Sequence, residues 1–451
     1  MNKYFGDKNF NLKVLMIALP IMLQNLVTTS VNLVDSLMVG QLGDAAIGGV
    51  AAVNRFYMIM NFGVMGFVSA VGIFIAQYYG AKNEQKMKES FRISILASYC
   101  IILPFFLLAF LFPNTILNFF TKDQIVIQAG VEYLKVACFT FLPLGLSLSL
   151  SGAMRCIGET KYPLYVSVFS VLVNTILNYC LIFGNFGFPQ LGVQGAALAT
   201  LIARIIEVLI LMLITNRVHF PFNTLYRNLL KVPYDLVKQI TVKAAPLCLN
   251  EILWAGGNAV ILKFYGTRGS FVLSGYSISQ TSTDIFFTLF SGMAVATTVM
   301  VAHELGANRL EKAKENGYKM IGFSFMVAVV FACLMFTMSF IVPLLYSSAS
   351  QEVLDIATAM VKVQSIFFIL YTLFIQNYFI IRAGGDTKST LLMDAGFMVF
   401  ITIPILFGLA YYTNINIYLM YILGQCVDVL KFFVSRHLLK KEKWVVNLTE
   451  N

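Results

Sequence analysis

Apolar residues fill most of this chain, and the polar ones break them up at intervals that outline its architecture. Twelve apolar segments are long enough to cross a bilayer as helices, near residues 14–38, 50–78, 91–112, 131–153, 162–184, 191–214, 239–263, 273–302, 318–345, 357–381, 389–412 and 416–435. The first is not uniformly apolar. At about 100° per residue, Gln24, Asn25, Thr28, Thr29, Asn32, Asp35 and Ser36 gather within roughly 140° of arc. Leu23, Leu26, Val27, Val31, Val34, Leu37 and Met38 cover the remainder. An aspartate facing lipid there would cost several kcal/mol, so this seam should line a cavity or meet a partner.

Charge alternates between successive connections. Lysine and arginine collect at one set, among them Lys3, Lys8 and Lys13, then Lys82, Lys86, Lys88 and Arg92, then Arg217, Arg227, Lys231 and Lys238, and finally Arg436, Lys440, Lys441 and Lys443. The opposite set is nearly neutral, with Asp44, Lys122 beside Asp123, Arg268, and Glu352 with Asp355. The positive-inside rule then places both termini in the cytoplasm, as an even number of spans requires. A multi-pass protein of the cell membrane is expected.

The longest basic connection divides the chain into residues 1–215 with spans one to six, a loop at 216–238, and residues 239–451 with spans seven to twelve and a tail. The halves repeat. An offset of 226 relates Pro20 to Pro246, Asn32 to Asn258, Gly40 to Gly266, Gly66 to Gly292 and Gly80-Ala81 to Gly306-Ala307. After the fourth span of each half, Arg155-Cys-Ile-Gly-Glu159-Thr160-Lys161 matches Arg382-Ala-Gly-Gly-Asp386-Thr387-Lys388 at an offset of 227. Two six-span repeats in the same orientation point to a transporter with a two-fold axis along the membrane normal.

Composition agrees. Of 451 residues, 58% are hydrophobic and 12% charged, with a mean hydropathy of +0.78, too little charge for a soluble surface. The net charge of +10 follows from the one-sided loops and does not indicate nucleic-acid binding. Seven cysteines stand singly in or beside apolar runs, without metal or disulfide spacing. The polar start, Met1 to Lys13, lacks a cleavable signal pattern, so the first span should itself direct insertion.

These features together resemble the multidrug and toxic compound extrusion (MATE) family. The resemblance is carried by Val31-Asn-Leu-Val-Asp35, Val39-Gly40-Gln-Leu-Gly43, Gly80-Ala-Lys-Asn, Arg155-x-x-Gly-Glu-Thr and Gly192-Val-Gln-Gly195-Ala-Ala-Leu-Ala-Thr200, in that order along the chain. It implies an all-α integral membrane protein, twelve transmembrane helices in two six-helix pseudo-symmetric lobes around a central cleft. It further implies antiport, with H⁺ or Na⁺ moving inward while an amphipathic, often cationic, organic compound leaves. No cofactor beyond the coupling ion, no structural metal and no nucleic-acid partner are expected. The partners are the bilayer and small-molecule drugs or organic cations, and a monomer is expected.

Asp35 is the first candidate for coupling-ion binding, since an intramembrane carboxylate can be neutralised by H⁺ or Na⁺. Asn174 and Asn178, one turn apart on the fifth span, can face one site. With Thr200 they match the N-lobe partners of that aspartate in one branch of the family, where an aspartate often stands in place of Asn178. Glu251, at the repeat position of Asn25, shares a polar arc with Asn250, Trp254 and Asn258 and is the candidate for substrate or proton binding in the C-lobe. Secondary candidates are Gln24, Asn32, Asp284, Tyr371 and Gln376, and Asp428 on the twelfth span joins Asp284 as a candidate for the same cleft. Pro20 removes one backbone bond of the first span, and in the family such a proline is linked to helix bending. Arg204 and Glu207, at i,i+3, are read as a structural pair.

No Walker A loop, nucleophile elbow, zinc motif or dinucleotide fingerprint is present, so the chain is not expected to be an enzyme. The rivals are a lipid-linked saccharide flippase of the same superfamily, which should carry a ring of basic residues mid-span, and a passive pore.

Overall fold

The computed structural model describes residues 3–224 and 228–450. Arg227 therefore lies outside the described residues, as does the side chain of Asn32. Twelve helices are long and apolar enough to cross a membrane: α1 (Lys8–Gly40), α2 (Asp44–Gly80), α3 (Glu84–Leu111), α4 (Gln124–Cys156), α5 (Lys161–Phe183), α6 (Gly192–Val218), α7 (Tyr234–Gly266), α8 (Ser270–Gly306), α9 (Leu310–Leu345), α10 (Gln351–Ala383), α11 (Thr387–Tyr412) and α12 (Ile417–Lys440). A two-turn helix, Pro113–Phe120, lies between α3 and α4. There is no strand among the described residues. The protein is an all-helical, multi-pass membrane protein.

Several helices outrun the apolar segments that announce them. α2 starts at Asp44, α4 at Gln124, and α12 runs on to Lys440. Hydropathy marks only the lipid-buried part of a helix, whereas backbone bonding continues through polar turns until a cap stops it. Side-chain caps set several boundaries. Asn83 accepts from the Lys86 N–H at 3.0 Å, Asp386 from Ser389 at 3.2 Å and Asn416 from Leu419 at 2.8 Å. Inside the spans, α1 carries Pro20 and α7 carries Pro246. α4 tightens to a 3₁₀ turn at Cys138–Thr140. α8 widens to a π turn at Thr298–Ala302, and α11 does so twice, at Leu392–Gly396 and Met398–Thr402. Such turns often accompany functional sites.

The chain forms two compact units. One contains Leu23–Tyr79 and Asn83–Ala244; the other contains the chain up to Met22, Gly80–Lys82 and the chain from Ala245 onward. α1 and α7 are thus each shared, with the changeover close to Pro20 in one and Pro246 in the other. In the first unit, Phe56, Met60, Ile102, Leu117, Leu134 and Phe141 form a buried cluster across α2, α3, α4 and the short helix. In the second, Phe10, Val14 and Ile17 of α1 pack with Phe286, Phe290 and Met293 of α8, Met320 and Met335 of α9 and Phe368 of α10.

Lipid supplies no hydrophobic drive for helix to meet helix, so close backbone approach through small residues matters more. Gly195 shows this on α6, because a Cβ there would overlap the Leu181 carbonyl of α5. That contact sets the spacing of the two helices that carry Asn174, Asn178 and Thr200.

Each unit also has a cap that folds back on it. After α6, Phe222 is fully buried against Phe91, with ring centroids 5.0 Å apart, and Arg92 donates to the Thr224 hydroxyl at 2.8 Å and the Lys231 carbonyl at 3.0 Å. After α12, Trp444 is buried and its indole N–H donates to the Leu439 carbonyl at 3.1 Å. The Trp444 ring lies over Gly317 of α9, and Lys314 pairs with Glu442 at 2.7 Å.

Candidate functional site

Asp35 lies near the end of α1, and α5 and α6 bring three polar side chains to it. Asn174 and Asn178 are 7% and 1% exposed. The Asn178 amide donates to Asp35 Oδ1 at 2.6 Å. With its nitrogen turned to the carboxylate, Asn174 donates to both Asp35 oxygens at 3.1 Å and accepts from the Thr200 hydroxyl at 3.3 Å. The other Asn178 atom, Oδ1, is buried and has no protein donor among the described residues. An orphaned acceptor of this kind costs about 1–3 kcal/mol unless something else supplies a donor or a positive charge.

These groups open on a cavity of about 340 Å³ that lies within the first unit. Asp35, Asn178 and Thr200 line it together with Asn54 and Tyr57 of α2, Tyr133 and Phe141 of α4, and Arg204 of α6. The 3₁₀ turn of α4 falls at this wall, with Thr140 among the lining residues. Arg204 pairs with Glu207 at 2.8 Å, and the Ser147 hydroxyl donates to the other Glu207 oxygen at 2.6 Å. Gln24 is not part of this group. It lies about 16 Å back along α1 toward the N-terminus, where its side-chain amide oxygen Oε1 accepts from Arg155 at 2.8 Å.

In the second unit, the sequence-nominated residues separate. Asn250, 3% exposed, donates to Asp394 Oδ2 at 3.0 Å and accepts from the Ala395 N–H at 3.2 Å. Asp394 sits in the first π turn of α11. Glu251 is half-buried and lies within electrostatic reach of Arg382 and Asp394. Asn258 spends its amide on the Trp254 carbonyl one turn back, at 2.9 Å, and Trp254 is 39% exposed. Asp284 is exposed on α8. Tyr371 packs edge-on against Phe287, with centroids 5.0 Å apart. Gln376 accepts from Ser324 at 2.7 Å and donates to Thr297 at 2.9 Å, tying α10 to α9 and α8. Asp428 lies 3.9 Å from Lys431 on α12.

A family model described as MatE matches residues 20–180 and 246–411. The chain belongs to the MatE family. Its two matched segments begin at Pro20 and Pro246, the pair that defines the repeat. Among known MatE-like relatives, the chain is 26% identical to the probable multidrug resistance protein YoeA of Bacillus subtilis, over 88% of this chain and 86% of that one. It is 26% identical to the probable multidrug resistance protein NorM of Listeria innocua, over 70% and 68%. Among solved structures, a MATE crystal structure in complex with MaL6 superposes with a TM-score of 0.86 at 16% identity, covering 97% of this chain and 98% of the other. That likeness establishes the MATE fold.

Three features of this MatE chain were not legible beforehand. Asp394 is one carboxylate in the run Leu-Leu-Met-Asp-Ala-Gly-Phe, and only its interruption of an apolar segment could have drawn attention to it. Tyr57, Tyr133 and Asn54 look like ordinary span residues until the cavity gathers them. The Arg204–Glu207 pairing was readable from spacing, but not that Arg204 would face the cavity. Among the described residues, no cluster of three or more His, Cys, Asp or Glu could hold a metal ion.

Proposed function

We propose that this chain is a secondary active antiporter of the cell membrane, with both termini in the cytoplasm. It exports amphipathic organic compounds in exchange for inward H⁺ or Na⁺. The family and the multidrug resistance names of relatives from Bacillus and Listeria support transport of drug-like molecules. The observation that carries coupling is the Asp35 site, where a carboxylate held by two asparagines opens on a cavity beside the orphaned Asn178 Oδ1.

A proton on Asp35 removes its charge. A bound Na⁺ balances it and gives Asn178 Oδ1 the positive partner it lacks; carboxylate, amide and hydroxyl oxygens suit a hard cation. Either event changes the free energy of the cavity with and without an organic cation, and so biases the protein between states open to opposite sides. Substrate amine and coupling ion compete for one carboxylate, which is the simplest basis for exchange.

Efflux of ethidium from proteoliposomes, with pH and Na⁺ gradients imposed separately, tests this. One gradient should drive efflux by the wild type, Asp35→Asn should abolish the response, and Glu251→Gln should leave it. Loss only in Glu251→Gln would move coupling to the second unit. Equal, gradient-independent flux in all three would sink antiport.

A further inference from the structure

Arg204 sits near the middle of α6, a depth at which a charged side chain is costly and usually serves the cavity it faces. Its side chain is 35% accessible, against 10% for its partner Glu207. Both Glu207 oxygens are satisfied, one by Ser147 and one by Arg204. The carboxylate is therefore sealed in, and the guanidinium is the member of the pair shown to the cavity that Asp35 also lines. A guanidinium carries five N–H donors in a planar fork, and Glu207 takes one.

The second repeat shows that the fold does not require this exposure. On α12, the sixth span of the second repeat, Asp428 and Lys431 also form an i,i+3 pair. Lys431 and Asp428 are only 9% and 12% accessible, and the ammonium lies 5.3 Å from the Phe374 ring centroid. One repeat shuts its mid-span cation away, and the other opens it onto a cavity.

We propose that Arg204 binds a carboxylate of the transported compound, so that the cavity selects aromatic zwitterions over plain cations. The amine is drawn to Asp35 and the carboxylate to Arg204, with the aromatic body against Tyr57, Tyr133 and Phe141. Glu207 acts as a positioning residue that holds the fork in place. This specificity rests on the antiport reading of the same cavity.

The test uses two fluorescent probes that differ in one group: a piperazinyl-quinolone carboxylic acid, zwitterionic at neutral pH, and its methyl ester, which is only cationic. Equilibrium binding to the full-length protein in detergent gives the acid-to-ester affinity ratio, and gradient-driven efflux from proteoliposomes gives the transport ratio. The wild type should favour the acid by about tenfold or more, as expected for a charge-assisted, partly desolvated bond. Arg204→Gln combined with Glu207→Gln, which removes the pair without stranding a buried charge, should bring the ratio to about one. Arg204→Lys, which keeps charge but loses the fork, should fall between. Equal loss of both probes in the variants would mark Arg204 as structural and overturn the proposal. A wild type that binds the ester as well as the acid, or binds neither, would also overturn it, whether or not the variants fold. Acid binding that depends on Arg204 without gradient-driven flux would defeat antiport and leave this specificity standing. Gradient-driven flux with no acid preference would do the reverse.

Discussion

The two repeats answer the same structural problem differently at the level of Asp35. At the 226 offset, Asp35 corresponds to Ile261, and at 227, Asn174 and Asn178 correspond to Ile401 and Ile405. Where the first unit keeps a polar cavity, the second closes a cluster in which Ile261 packs with Phe264, Tyr265, Tyr276, Leu406 and Tyr421. Polar groups survive in the second unit elsewhere. Asn250 and Asp394 meet about 16 Å from Ile261 along α7, with the amide on the first helix of the repeat and the acid on the fifth. The first unit has the reverse assignment. A duplicated helical scaffold is therefore stable with or without the polar site, so the Asp35 constellation is not something the fold needs.

The comparison can be broken most directly at its centre. Asp35→Asn should lower gradient-driven transport by about a hundredfold, whereas Ile261→Asp, placed in the apolar cluster of a chain that also carries Asp35→Ile, should not restore it and should cost several kcal/mol of stability. Proteoliposome flux and thermal unfolding in detergent read the two effects. Restored flux would mean that the repeats are interchangeable.

A smaller effect is expected at the sealed pair. Lys431→Met alone strands Asp428 and should destabilise the protein by about 3–5 kcal/mol, while Lys431→Met with Asp428→Leu should be close to neutral. A single variant as stable as the double would show the pair to be hydrated. Next in size, Asn250→Ala removes partners from both Asp394 and the Ala395 N–H and should cost about 1–3 kcal/mol, with transport per folded molecule retained. Transport lost without a stability change would make that contact a second coupling site. The smallest change is expected from Asn178→Ala, which should shift the ion concentration for half-maximal flux by about fivefold, near 1 kcal/mol. An unchanged concentration would remove Asn178 from the proposed coupling site.

Most of the fold was legible because its signals are long-range and redundant. Twelve apolar runs and a repeat offset carried through prolines and glycines define the same architecture twice over. The Asp35 group was legible for a narrower reason. Asn174 and Asn178 lie one turn apart on one helix, so spacing alone puts both on one face, and the family pattern supplies their partner. The second unit resisted because its contacts join α7 to α11 across 144 residues, and neither Asn250 nor Asp394 carries a local pattern that names the other. Glu251, Asn258 and Trp254 share an arc on α7, yet neighbouring helices decide which members of an arc meet a polar group. Here Asn250 does, while Asn258 turns back to its own backbone. The exposure of Arg204 likewise depends on how α2, α4 and α6 space themselves around an empty volume, which residue order does not encode.

The shared first helix has a consequence for biosynthesis. Phe10, Val14 and Ile17 are among the earliest residues translated, but Phe286, Phe290, Met293 and Phe368, which they pack against, emerge after more than half the chain has been made. At about 5–20 residues per second, that apolar face waits on the order of tens of seconds for its partners. Asp35, further along the same helix, has its partners on α5 and α6 much sooner. The ribosome thus delivers the Asp35 group first and the packing of the first half of α1 last. A nascent chain stalled before α8 would expose half of α1 to lipid or chaperone, and that half-helix is where quality control would find the unfinished protein.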